Sequence, residues 1–327
     1  MKRRTFVQAA IGLSGMGLSH ARQQDGLLWR ERTLTGLGTT MAIRVGHSDA
    51  ALAEQALDAA RDTIRHVEDQ MSLYRSDSAI CQLNRTGRLH HPHPDLVRIL
   101  QVAQTVSARS HGAFDVTVQP LWTAFQTASQ QSRLPTPDEV RQAQNLANWK
   151  LLDISQDAIT LGRKGMGITL NGIAQGFAAD LVVARLQALG IRHALIDTGE
   201  WAALGTPVPH RGWTLGVADP RDARGVLARV AMDGRCVATS ADNQCSFSPD
   251  FQHHHIFDPA TGYSPAGLSC VAVLAPSCVL ADALTKVMFV AGFKQSLQLA
   301  KVWNVDVLVV DKKGVWQATP GVTLLPA

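Results

Sequence analysis

The chain reads as an α+β fold. Helical and strand patterns are mixed without the regular βαβ alternation of a doubly wound sheet. A long amphipathic helix is expected from Asp49 to about Tyr74, with Leu52, Ala56, Ala59/Ala60, Ile64 and Val67 at helical spacing. By contrast, His193 to Leu274 is mainly short strands broken by Gly, Pro and Asp turns.

Taken in order, Trp29 to Thr35 and Thr39 to Gly46 are strands around a turn at Gly36–Gly38. Asp49 is suited to cap the helix that follows. Pro94 to about Ser110 is a second helix, with Leu96, Ile99, Leu100 and Ala103 on one face, and the polar stretch from Gln126 to Pro135 is an exposed loop. Pro137 to Ala147 is a third helix. Gly167 to Leu170 is a β-rich stretch that runs through a turn of small residues into a fourth helix, Ala174 to Leu189, closed by Gly190. Ala281 to Ala291 is a helix ended by Gly292, and Val305 to Val310 pairs with Val315 to Ala318 around Asp311-Lys-Lys-Gly314. There is no internal repeat and no low-complexity tract.

A length of 327 residues, 46% hydrophobic and 18% charged, is ordinary for a globular protein with a large core. Residues 1–21 predict a twin-arginine export signal. Arg3 and Arg4 precede a mildly apolar run to Leu18 and a small-residue site at Ser19-His-Ala21. This predicts a periplasmic protein whose mature domain spans residues 22–327. No cysteine near the cleavage site invites a lipid anchor, and no apolar run reaches the ~18 residues that span a bilayer. Lys2, Arg3 and Arg4 are the charges of the signal, so the formal +4 falls to +1 without it. That leaves no basic surplus for nucleic acid. The five cysteines, Cys81, Cys236, Cys245, Cys270 and Cys278, form no C-x-x-C pair and give no support to zinc. Buried free thiols are the plain reading, although an exported protein can carry a disulfide.

The densest motif is Thr169-Leu-Asn-Gly-Ile-Ala-Gln-Gly-Phe-Ala-Ala-Asp180. Gly172, Ala174 and Gly176 leave room for a pyrophosphate against the backbone, where the following helix aims its N–H groups. Packing alone also explains glycines at such a turn. Other segments accompany it in order. They are Gly36-Leu-Gly-Thr-Thr-Met41, Met71-Ser-Leu-Tyr-Arg-Ser-Asp-Ser78 with Leu83-Asn84, Gly112-Ala-Phe-Asp-Val-Thr-Val-Gln-Pro-Leu-Trp122, and Ile196-Asp-Thr-Gly-Glu200. Gly212-Trp-Thr-Leu-Gly-Val-Ala-Asp-Pro220, Val237-Ala-Thr-Ser240, His255-Ile-Phe-Asp-Pro-Ala-Thr-Gly262 and Ala281-Asp-Ala-Leu284 complete the set.

This ordered set resembles the ApbE family of FAD:protein FMN transferases from about Leu34 to Gly292. The Thr-Leu-Asn-Gly-Ile-Ala-Gln-Gly variant is similar to a branch that serves nitrous-oxide reductase maturation. The resemblance implies a T-fold-like architecture with FAD in a cleft between two lobes. It also implies cleavage of FAD with Mg²⁺, release of AMP, and attachment of FMN to a Ser or Thr of a periplasmic respiratory protein. Metal positions carried over are Gly172, through its carbonyl, Asp282 and Thr285. Cofactor contacts carried over are Leu37, Tyr74, Ala113, Phe114, Asp115, Thr169, Gln175, Asp180, Thr239, Ser240 and Ile256. His255, with Asp282, is the catalytic candidate: it can take the acceptor's proton or neutralise phosphate.

Plainer roles stand beside these. Asp115 can bond nearby backbone N–H groups, Tyr74 can be core, Thr239 and Ser240 can form turns, and Asp180 can reach a ribose or only a basic neighbour. His253 and His254 read as solvated. The chain also departs from the family pattern. Lys286 stands where the family has a Thr ligand, four residues after Asp282. It either points away or pairs with Asp282 in place of part of the cation, which predicts weakened metal dependence or impaired catalysis. Thr169 and Gln175 remove charge found in many members, and Leu37 replaces a common Met. Two other functions are therefore carried as alternatives: a non-catalytic FAD-binding or flavin-delivery protein, and an FAD pyrophosphatase.

Overall fold

Nine strands form one antiparallel sheet in a computed structural model that describes residues 23–326 apart from 25, 209 and 210. In chain order the elements begin with β1 (Gln23–Gln24), β2 (Leu27–Gly36), β3 (Thr39–His47), α1 (Ala50–Met71) and α2 (Ala79–Thr86). There follow β4 (Arg88–His90), α3 (Pro94–Arg109), α4 (Gln119–Gln130), α5 (Pro137–Gln144), β5 (Leu152–Ile154), β6 (Ala158–Leu161) and α6 (Ala174–Ala188). The C-terminal part contains β7 (His193–Asp197), β8 (Trp201–Leu204), β9 (Thr214–Ala218), β10 (Val226–Ala231), β11 (Cys236–Ala241) and β12 (Leu268–Ala275). It closes with α7 (Cys278–Ala291), α8 (Phe293–Trp303), β13 (Asp306–Asp311), β14 (Trp316–Ala318) and β15 (Leu324–Leu325).

The large sheet runs β1-β2-β3-β7-β8-β11-β12-β13-β14. Side-chain alternation sends Met41, Ile43 and Val45 of β3 to one face, where α1, α6, α7 and α8 cover the main core. Trp29, Leu195, Trp201 and Leu274 point to the other face, which packs on the small β15-β10-β9 sheet through Trp213, Leu215 and Val230. β12 lies between both layers, and all eight of its residues are buried.

Residues 72–173 are inserted between α1 and α6. They carry α2–α5 and a second small sheet, β4-β6-β5. An aromatic cluster of Phe125, Phe247, Phe257 and Tyr263 joins this insertion to the loop after β11.

The α+β reading and the helices at α1, α3, α5 and α6 stand, each within a few residues of its expected ends. Asp49 caps α1, its side chain accepting from the Ala51 and Leu52 N–H groups. Thr136 and Glu139 form a capping box on α5. Two expectations are corrected. Gln126 to Gln130 is the end of α4, not loop. Gly167 to Leu170 joins no sheet. Its extended backbone is instead clamped by Asn84, whose amide donates to the Ile168 carbonyl (2.8 Å) and accepts from the Ile168 N–H (2.7 Å). One side chain thus supplies the two bonds that a neighbouring strand would have made.

The expected signal in residues 1–21 lies outside the described residues. Among the described residues no helix is long and apolar enough to cross a membrane, and all five cysteines are free thiols.

Candidate functional site

A pocket opens where the strand ends of the large sheet, the N-terminal turn of α6, Lys286 in the middle of α7, and the insertion meet. Its wall draws on segments far apart in sequence. The β2–β3 turn contributes Leu37. Two positive φ angles, 47° at Leu37 and 78° at Gly38, give the turn the twist that a two-residue hairpin needs. Leu37 is held in this sparsely populated conformation by its N–H, which donates to Glu68 Oε1 at 2.9 Å.

Leu37, Tyr74, Ala113, Phe114, Asp115, Thr169, Gln175, Thr239, Ser240 and Ile256 all line the pocket, and so do Gly172 and His255. Tyr74 stands at the rim, 47% exposed, and its hydroxyl accepts from the Asn171 amide at 3.3 Å. Asp115 also has its plainer role. One carboxylate oxygen accepts from the Thr117 N–H (2.7 Å) and hydroxyl (2.6 Å), and the other accepts from the Trp149 N–H (3.1 Å). Burial raises its pKa against the pull of these bonds.

The His255 ring Nδ1 lies 3.3 Å from the Cys245 carbonyl, a contact that selects the tautomer with its proton on Nδ1 and its basic lone pair on Nε2. His254 is not solvated as expected. It is fully buried, with Nε2 3.3 Å from the Pro265 carbonyl and Nδ1 accepting from Ile256 N–H, and burial drives its pKa down to about 3. His253 is half-buried and packs near Phe125 and Tyr263.

Three carried-over positions fall outside the pocket wall. Asp180 feels the charge of Arg98 but makes its hydrogen bonds to backbone. It accepts from the N–H groups of Cys278 (2.8 Å) and Val279 (3.0 Å), so it caps α7 from the side of α6. Burial raises its pKa. Thr285 is fully buried and donates to the Asp282 carbonyl (2.7 Å). Its single proton is thereby used, so the 2.8 Å contact with Ser240 is the serine hydroxyl donating to Thr285 Oγ1.

Asp282 is 0% exposed. One carboxylate oxygen accepts from the Gly176 N–H (3.0 Å) and the other from Lys286 Nζ (2.5 Å). Gly176 itself does not open space for a ligand. A Cβ there would lie 2.2 Å from the Cys278 carbonyl oxygen and 2.8 Å from Asp282 Cβ, so the missing side chain is what lets α7 approach α6.

Sequence reasoning passed over two acidic residues of the wall, Asp197 and Glu200, although both lie in the quoted Asp-Thr-Gly-Glu turn between β7 and β8. Asp197 accepts from the Gly199 N–H at 2.9 Å, and burial raises its pKa to about 6. Glu200 accepts from the Thr239 N–H at 2.9 Å. Burial, reinforced by Asp282 and opposed by Lys286, pushes Glu200 well above the ordinary carboxylate range.

The set Gly172, Asp282 and Thr285 does not fit a divalent cation in this arrangement. The Asp282 oxygens are engaged, the Thr285 hydroxyl faces Ser240, and the stem of Lys286 packs against Gly172. An ammonium about 4 Å from a dication would repel it by roughly 8 kcal/mol at an effective dielectric near 20.

The ApbE family pattern matches residues 37–309. An FAD:protein FMN transferase of Haemophilus influenzae is 28% identical over 291 residues, covering 84% of each chain. One from Vibrio cholerae is 27% identical over 289 residues, covering 84% of this chain and 85% of its own. The apo crystal structure of Pseudomonas stutzeri flavinyl transferase ApbE superposes with a TM-score of 0.78 at 28% identity, covering 90% of this chain and 95% of that one. The ApbE protein of Thermotoga maritima has a TM-score of 0.81 at 24% identity over 89% of this chain and 97% of that one, a likeness of fold.

Proposed function

Because the chain belongs to the ApbE family, we propose that it is an FAD:protein FMN transferase acting through the pocket described above. The observation that carries this reading is convergence. Ten cofactor positions taken from separate sequence segments line one pocket, together with His255 and Gly172. In the proposed reaction a Ser or Thr oxygen of an acceptor protein bonds to the FMN phosphorus of FAD. The bond from that phosphorus to the bridging oxygen breaks, and AMP leaves with the bonding pair. His255 takes the hydroxyl proton at Nε2. Thr239 is the hydroxyl offered to the phosphates, since Ser240 donates to Thr285, and the Tyr74 ring offers a face to the flavin. The expected metal positions do not fit Mg²⁺ in this arrangement.

We also propose export by the twin-arginine route, a mature domain over residues 22–327, a periplasmic site of action, and an acceptor in a membrane respiratory or nitrous-oxide reduction system. These rest on the opening residues and on the family resemblance.

The test is to incubate purified protein with FAD and a candidate acceptor, following AMP and in-gel flavin fluorescence. A fluorescent acceptor with stoichiometric AMP is the expected result. AMP without a labelled acceptor would assign a pyrophosphatase. Bound FAD with neither product would assign a flavin-delivery protein, the reading favoured by the Lys286–Asp282 pair.

A further inference from the structure

We propose that Lys286 replaces the divalent cation of this site: its ammonium, held in place by Asp282, binds the pyrophosphate of FAD, and the pocket loads FAD without metal. The inference rests on the functional reading above and deepens it.

Three observations carry it. The first is how the ammonium is held. Lys286 follows Asp282 by one helical turn, and its Nζ donates both to Asp282 Oδ1 (2.5 Å) and to the Asp282 carbonyl (3.1 Å). An ammonium has three protons. Two are used in these bonds, and the third has no partner among the described residues. The second is the stem. A Cβ on residue 172 would lie 2.9 Å from Lys286 Cε and 3.4 Å from Cδ, so the glycine turn forms the seat over which the lysine lies. The side chain is 18% exposed and lines the pocket, so a head fixed at two points still presents itself to a ligand.

The third observation is the charge of the wall. Asp115, Asp197 and Glu200 line the pocket, and Lys286 is the one lysine or arginine beside them among the described residues. A dinucleotide bringing two phosphate charges to an acidic wall needs a cation. The fixed ammonium supplies it, whereas the oxygens that would hold a mobile ion are already spent on Gly176, Lys286 and Ser240. A cation supplied by a side chain cannot be removed by a chelator.

The test uses the full chain and reads FAD binding by flavin fluorescence, in EDTA and in Mg²⁺. The wild-type protein should bind FAD equally well in both, and Lys286→Arg should keep this behaviour. Lys286→Thr should lose about ten- to a hundredfold in affinity in EDTA, the worth of one hydrogen bond to a charged group. It should recover in Mg²⁺, and by calorimetry it should bind Mg²⁺ alone where wild type does not. Wild-type binding that disappears in EDTA and returns with Mg²⁺ overturns the inference while leaving the functional reading intact. Undiminished binding by Lys286→Thr in EDTA does the same. Wild-type protein that binds FAD in neither buffer overturns the functional reading, and the inference with it.

Discussion

Gly176→Ala separates packing from ligand binding at the glycine-rich turn. The added methyl would sit 2.2 Å from the Cys278 carbonyl oxygen, 2.6 Å from its carbon and 2.8 Å from Asp282 Cβ. Ordinary contacts of this kind are near 3.5 Å, so α7 must retreat by about 1 Å. Two of the three atoms are backbone, which no rotamer change can move aside. Overpacking of this kind costs about 1–3 kcal/mol. The retreat also stretches the 3.0 Å bond from the Gly176 N–H to the Asp282 carboxylate, worth about 1.5–3 kcal/mol. Helix propensity returns about 0.5–1 kcal/mol, because alanine is the better helix former. The net loss is about 2–5 kcal/mol, or a melting temperature lower by roughly 3–8 °C for a chain of this size. Thermal and urea unfolding followed by circular dichroism measure it, and FAD titration of the folded variant completes the experiment. Wild-type stability with a collapsed FAD affinity would refute the reasoning, since it would mean that the glycine serves the ligand and not the contact between α6 and α7.

Asp180→Ala should destabilise by about 1–2 kcal/mol by uncapping the first turn of α7, and denaturant unfolding within about 0.5 kcal/mol of wild type would remove the capping role. Tyr74→Ala should weaken FAD binding by about 1–3 kcal/mol through lost stacking while leaving the melting temperature nearly unchanged, because the ring is half exposed. For Asp197, burial raises the pKa from 3.8 to about 6. Its stabilising contribution is therefore fully present below the unfolded value and is lost as pH rises through the folded one. FAD affinity should fall over the same rise, because the newly charged carboxylate repels phosphate. Asp197→Asn should flatten that dependence, and an unchanged profile in the variant would place the titration elsewhere.

What could be read beforehand was whatever leaves a local mark. Asp49 and Pro137 announce helix starts because such signals are local, and the segments around Leu37, Phe114, Gly172 and Thr239 converge on the pocket. The misses depend on distant partners. Gly176 looks like a ligand turn until α7 is set against it. Asp180 looks like a ligand contact until the start of α7, nearly a hundred residues on, is found on its carboxylate. Thr285 shares the exposed-looking spacing of Asp282 but turns to Ser240 on β11. α8 leaves no separate mark because Gly292, which ends α7, is also the residue from which α8 starts. α2 and the small β4-β6-β5 sheet are too short for periodicity to register.

The seam between β3 and β7 has a consequence for how the protein comes to exist. Ala42 pairs with Asp197, 155 positions later, and every other rung of that seam spans a comparable length of chain. Two halves of the sheet therefore wait as open edges until synthesis has passed the whole insertion, and long-range closure of this kind is slow and prone to wrong partners. Asp197 is both a rung of the seam and part of the pocket wall. A bound dinucleotide would then act as a latch on the last join, and cells short of flavin should accumulate this chain in a form more readily attacked by proteases.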